Sequence, residues 1–99
     1  MARKRPTSLP GTPIHFLGGD GSSLANAIKI KGAHGEMDGT ASEYSYLALV
    51  YGPQGNAWTM GQQSLLSDSG KSYDALAITL ADGTKETVYF DITDYFGKY

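Results

Sequence analysis

The stretch Leu76-Ala77-Ile78-Thr79-Leu80-Ala81-Asp82-Gly83-Thr84-Lys85-Glu86-Thr87-Val88-Tyr89-Phe90-Asp91-Ile92 decides the fold. Leu76, Ile78 and Leu80 alternate with small or polar residues before Ala81-Asp82-Gly83, and Val88, Phe90 and Ile92 alternate after it, which predicts a β-hairpin. A two-residue loop would pair even-numbered with odd-numbered positions and scatter the apolar side chains over both faces. An odd loop keeps them together. A type I turn at Ala81-Asp82 with Gly83 in the left-handed region meets that condition and puts all six apolar residues on one face. The other face then carries Tyr73, Ala75, Ala77, Thr79, Thr87, Tyr89 and Asp91.

Upstream, Ser67-Asp68-Ser69-Gly70 reads as a turn, and Trp58 to Leu66 as a further strand in which Gly61 marks a bulge. Thr40-Ala41-Ser42-Glu43 has the spacing of a capping box, with Thr40 on the exposed amides and Glu43 reaching back. Tyr44, Leu47, Ala48 and Tyr51 follow at helical spacing and Gly52-Pro53 stops the run, so a helix is expected over 41–51, its face covering the hairpin. Ala27-Ile28-Lys29-Ile30-Lys31 alternates apolar with charged and is the first expected strand. Together these elements predict an α+β domain, one helix on a mostly antiparallel sheet of about four strands in the order β-α-β-β-β. A short turn over Ile92 to Phe96 closes it.

The chain has 99 residues, no cysteine, 13 glycines and 4 prolines. That length suits one domain, expected over 14–99, and the glycines and prolines favour short elements joined by turns. Residues 1–13 combine three cations with three prolines and few apolar side chains, and are expected to form a flexible basic leader. Ile14-His15-Phe16-Leu17 is an apolar patch expected to dock on the domain. No apolar run is long enough for a membrane span, and Arg3-Lys4-Arg5 leads into Pro6 to Pro10 and not into a signal-peptide core, so a soluble, cytoplasmic chain is expected. From residue 6 onward five lysines face ten carboxylates, a net charge of about −5, which argues against nucleic acid as a partner. Binding through Arg3-Lys4-Arg5 is the third-ranked reading.

Motifs with chemical potential fall short of complete sites. Ser69-Gly70-Lys71-Ser72 lacks the earlier glycine of a phosphate loop, since position 65 is Leu65, and no helix follows it. Gly19-Asp20-Gly21-Ser22-Ser23 lacks the further carboxylates of a calcium loop and reads as a turn. His34, Glu36 and Asp38 offer metal-ligand types, but a second nitrogen ligand is missing nearby. No metal and no cofactor is expected. Asp74 and Asp91, with Asp94, sit at strand ends where two carboxylates brought together would shift each other's proton affinity and could serve acid/base work or hold a divalent cation. Against this stands a structural role in which Asp91 bonds the turn over Ile92 to Phe96. Tyr73 and Tyr89 share the second sheet face and supply aromatic contact area.

The quoted loops also carry a likeness. Gly19-Asp20-Gly21-Ser22-Ser23 followed by Ala27-Ile28, Glu43-Tyr44 with Leu47, Gln63-Ser64-Leu65, Gly70-Lys71-Ser72-Tyr73-Asp74, Asp82-Gly83, and Tyr89-Phe90-Asp91-Ile92 with Tyr95-Phe96-Gly97-Lys98 resemble a group of small uncharacterised bacterial proteins. That group opens with GDGSS and closes with YFDI…FFGK, and the likeness runs over residues 18 to 98, with Tyr95 where phenylalanine is usual. The resemblance implies one domain and a bacterial origin, and transfers no catalytic residue. The functional expectation is a non-enzymatic binding or interaction module with an unknown protein partner, using Tyr73, Tyr89, Asp74 and Asp91. The alternative is a small acid/base or divalent-cation-dependent enzyme built on Asp74 and Asp91.

Overall fold

The computed structural model describes residues 5–97. Five strands and one helix follow in the order β1 (His15–Gly18), β2 (Ile28–Lys31), α1 (Glu36–Tyr51), β3 (Trp58–Asp68), β4 (Lys71–Leu80) and β5 (Lys85–Asp91). The sheet runs β1-β2-β5-β4-β3, with β2 and β5 parallel and the other neighbours antiparallel. This is the expected small α+β fold.

The β4–β5 hairpin forms around the predicted odd loop. Gly83 takes φ 88°, the Gly83 N–H donates to the Leu80 carbonyl at 2.9 Å, and the Leu80 N–H donates to the Thr84 carbonyl at 2.8 Å. Leu76 stands opposite Val88, and Leu76, Ile78, Leu80, Val88, Phe90 and Ile92 are all buried. The bulge in β3 also falls where expected, its pairing with β4 shifting between Met60 and Gln62, although the strand runs two residues further, to Asp68.

Three local readings are corrected. The helix begins at Glu36, with the extended Gly35 at its N-cap and no side-chain cap bond, so the Thr40–Glu43 capping box does not form. Asp38 instead accepts from the His34 N–H at 3.4 Å, and Glu36 and Asp38 place acidic charge in the first turn, where the helix dipole favours it. The helix passes straight through Gly39. A Cβ there would lie 2.2 Å from the Tyr95 ring, so glycine serves close packing and does not break the helix.

The buried face is accordingly Gly39, Ser42, Glu43, Tyr46 and Leu47, while Tyr44 and Tyr51 are half-buried flanks and Ala48 is exposed. Tyr46 meets Phe16 edge-on at 5.0 Å and Phe90 at 5.7 Å between ring centroids, contacts that reward a buried tyrosine more than its flanking positions would.

The second correction adds a strand. Most of the apolar patch at 14–17 lies in the edge strand β1, whose Phe16 stands opposite Ile30.

The third concerns the leader. From Thr7 onward it folds back on β1: the Phe16 N–H donates to the Thr7 carbonyl at 2.9 Å, the Leu9 N–H to the Ile14 carbonyl at 3.1 Å, and Ser8 bridges His15. An edge strand has unpaired backbone groups, and residues 7–9 satisfy those of β1 despite the prolines around them. Residues 1–4, which include Arg3 and Lys4, lie outside the described residues.

Candidate functional site

Of the four side chains singled out from the sequence, Tyr73, Tyr89 and Asp91 share one face of the sheet and Asp74 lies on the other. In the β4–β5 register Asp74 stands opposite Phe90, on the face that α1 covers, whereas Asp91 stands opposite Tyr73 on the other face. The sheet therefore lies between the two carboxylates, and the acid/base or cation pair is not assembled. Asp91 takes the structural role, its Oδ1 accepting from the Thr93 N–H at 3.0 Å and the Thr93 hydroxyl at 2.7 Å. Asp94 turns to Lys31 at 2.9 Å and Lys29 at 3.8 Å. Tyr73 is buried and Tyr89 half-buried, which leaves the tyrosine face a smaller exposed area than its composition promised. His34, Glu36 and Asp38 do not gather into a metal cluster, and none forms among the described residues.

Asp74 instead meets two groups the sequence reading had assigned elsewhere. Glu43 of α1 is fully buried, neither of its carboxyl oxygens nor the Tyr95 hydroxyl has a conventional hydrogen-bond partner among the described residues, and Asp74, almost equally buried, is close enough to act on both. Two carboxylates in this setting are both acceptors, so a proton on one of them supplies the missing donor. Burial, and then the adjacent Asp74, push the Glu43 carboxyl up to about 10. Burial, with Glu43 next, likewise pushes the Tyr95 hydroxyl above its ordinary range. Glu43 is thus a neutral acid at physiological pH. The signal for it was the row Gly39, Glu43, Leu47 at helical i, i+4 spacing, which the capping reading broke in half.

A groove lies at the other end of the helix. β2 pairs with β5 only at Phe90 and Asp91, so residues 85–88 of β5 have a strand neighbour on the β4 side alone. The loop Gly19–Ser23 closes the gap by accepting the Tyr89 N–H at the Gly21 carbonyl, 2.8 Å. Between this loop, β5 and the end of α1 is a groove of about 570 Å³ lined by Arg5, Asp20, Ser22, Tyr46, Tyr51 and Glu86 among others. Asp20 is shaped by its own turn: the Ser22 hydroxyl (2.6 Å) and N–H (3.0 Å) both donate to it, and these bonds hold its carboxyl below the usual range. The Tyr51 hydroxyl donates to Glu86 at 2.6 Å.

The two sheet edges differ sharply. β1 is covered by residues 7–9, but β3 has β4 on one side and, among the described residues, only a bridge from Gln54 to Trp58 on the other. β3 is 11 residues long, and from Trp58 to Ser67 it carries no charge and no proline. Leu65 on this strand is 57% exposed. Comparison with protein-family models, with curated proteins and with solved structures finds no match to this chain. Among the described residues no helix is long and apolar enough to cross a membrane.

Proposed function

We propose that this chain is a non-enzymatic protein-interaction module that takes up an extended segment of a partner protein along the free edge of β3. The observation that carries this reading is the edge itself. Soluble proteins blunt long edge strands with lysine, proline, short length or a covering segment, and β1 is covered in this way, whereas β3, met by Gln54 and Gly55 at Trp58 alone, has no lysine, proline or covering segment among the described residues from its bulge at Met60–Gln62 to Ser67. Strand addition draws affinity from main-chain hydrogen bonds and specificity from alternate side chains. On β3 those are Gln63 and Leu65 on the helix side, and Gln62, Ser64 and Leu66 on the other, where Leu66 stands opposite Tyr73. The body's acidic charge would repel a strongly acidic segment, so the occupant is uncharged or mildly basic, with an apolar residue to cover Leu65.

The test is selection from a display library of random twelve-residue peptides, with the Gln63→Lys/Leu65→Lys double variant as counter-selection and circular dichroism to verify its fold. The reading expects enriched peptides with alternating apolar positions whose affinity falls at least tenfold on the variant. A library yielding nothing beyond the counter-selected background would sink it, as would a stable wild-type dimer, by light scattering, that the two lysines dissociate.

A further inference from the structure

We infer that the groove between the Gly19–Ser23 loop, β5 and the C-terminal half of α1 is a second binding site, one that takes a ligand bearing a primary ammonium or guanidinium group. This site is independent of the β3 edge. Two carboxylates face it from different elements, Asp20 from the loop and Glu86 from β5, and two tyrosines, Tyr46 and Tyr51, stand on the helix wall. Carboxylates in a concave wall attract an organic cation by charge and by charge-assisted hydrogen bonds. The volume, about 570 Å³, lies within the range of small-ligand sites.

The chain's own Arg5 lines the same groove. It is the cation among the groove-lining residues named above, and its charge bears on Tyr46 and, as the least of several causes, on Asp20. One guanidinium against two carboxylates leaves the groove with a net negative charge. Each carboxylate also keeps acceptor capacity beyond the bonds it makes to Ser22 and Tyr51, since a carboxylate offers about four lone-pair sites. The bonds from Ser22 and Tyr51 meanwhile hold the two carboxylates in fixed positions before any ligand arrives. Arg5, which is exposed, therefore competes at the mouth of the groove with an incoming cation.

The experiment is an amide NMR titration of the full chain with propylammonium chloride, with L-argininamide and with an N-acetylated, C-amidated Gly-Arg-Gly peptide, using sodium phosphate and sodium acetate at matched ionic strength as controls. Saturable shifts centred on Ser22, Tyr46 and Glu86 are expected with the cations at millimolar concentration. Asp20→Asn and Glu86→Gln should each weaken binding at least threefold, and Arg5→Ala should tighten it severalfold. Propylammonium binding as well as the peptide identifies a free amine as the ligand class, and tighter peptide binding identifies a basic side chain. If Glu86→Gln loses its dispersed spectrum, Asp20→Asn, on an exposed loop, carries the test alone. Linear, non-saturating shifts in both wild type and Arg5→Ala would overturn the proposal, as would saturable binding of phosphate.

Discussion

The two halves of α1 bury different chemistry against the same sheet. Its C-terminal half sets Tyr46 and Leu47 into an apolar cluster with Phe16, Leu76, Ile78 and Phe90. Its N-terminal half sets Gly39, Ser42 and Glu43 beside Asp74 and Tyr95, where buried oxygens outnumber their donors. Apolar burial is non-directional and indifferent to pH over the ordinary range. A buried carboxyl holds its place only while it keeps its proton, so the stability of the polar end is a function of pH and that of the apolar end is not.

Titration offers the largest test of this contrast. Glu43 has a folded-state value of about 10 against 4.5 for the free side chain, so between those limits the folded state binds a proton that the unfolded state has lost. A raised value means the contribution is complete below about 4.5 and is lost as pH climbs toward 10. Stability should therefore decline steadily with pH, by about 4 kcal/mol from pH 6 to pH 9, relative to Glu43→Gln. Urea denaturation of both proteins across that range measures it, and parallel curves would erase the distinction between the two ends.

Leu76→Ala, at the apolar end, should cost about 3 kcal/mol in the same assay, equally at pH 6 and pH 9. A cost that depends on pH would show that the two ends are coupled. Gly39→Ala brings a methyl group against the Tyr95 ring, and should destabilise by about 2 kcal/mol even after the gain in helix propensity. The aromatic NMR signals of Tyr95 should report a displaced ring, and an unchanged or increased stability would show that the polar end is loosely packed. Tyr95→Phe removes a buried hydroxyl that adjoins the Glu43 carboxyl without a hydrogen bond of ordinary geometry among the described residues, and should change stability by less than about 1 kcal/mol. A loss well beyond that would mean the hydroxyl is bonded in solution.

The apolar end was legible because its code is local. Period-2 alternation on either side of Ala81-Asp82-Gly83 specifies both strands, the turn and their register, since a one-residue slip would move all six side chains off the core face. Gly61 announced its bulge for the same reason. Around α1 the same local rules misled. Gly39 has the look of a breaker and Thr40–Glu43 the look of a cap, and only the arrival of Tyr95 from the far end of the chain makes a glycine the right residue inside that helix. The pairing of Glu43 with Asp74 joins positions 31 apart, and neither residue carries a nearby pattern that points to the other.

Composition and spacing by themselves determined an α+β domain, its central hairpin, the C-terminal end of its helix and the Asp91 turn. Those features rest on side-chain period, turn geometry and short-range hydrogen bonding, all written within about ten residues. Strand order, the faces on which Asp74 and Asp91 lie, the covered β1 edge, the open β3 edge and the groove beneath the Gly19–Ser23 loop were decided only in three dimensions. Each depends on which distant segment comes to lie alongside, and that is set by the competition of whole surfaces for burial and of backbone groups for partners.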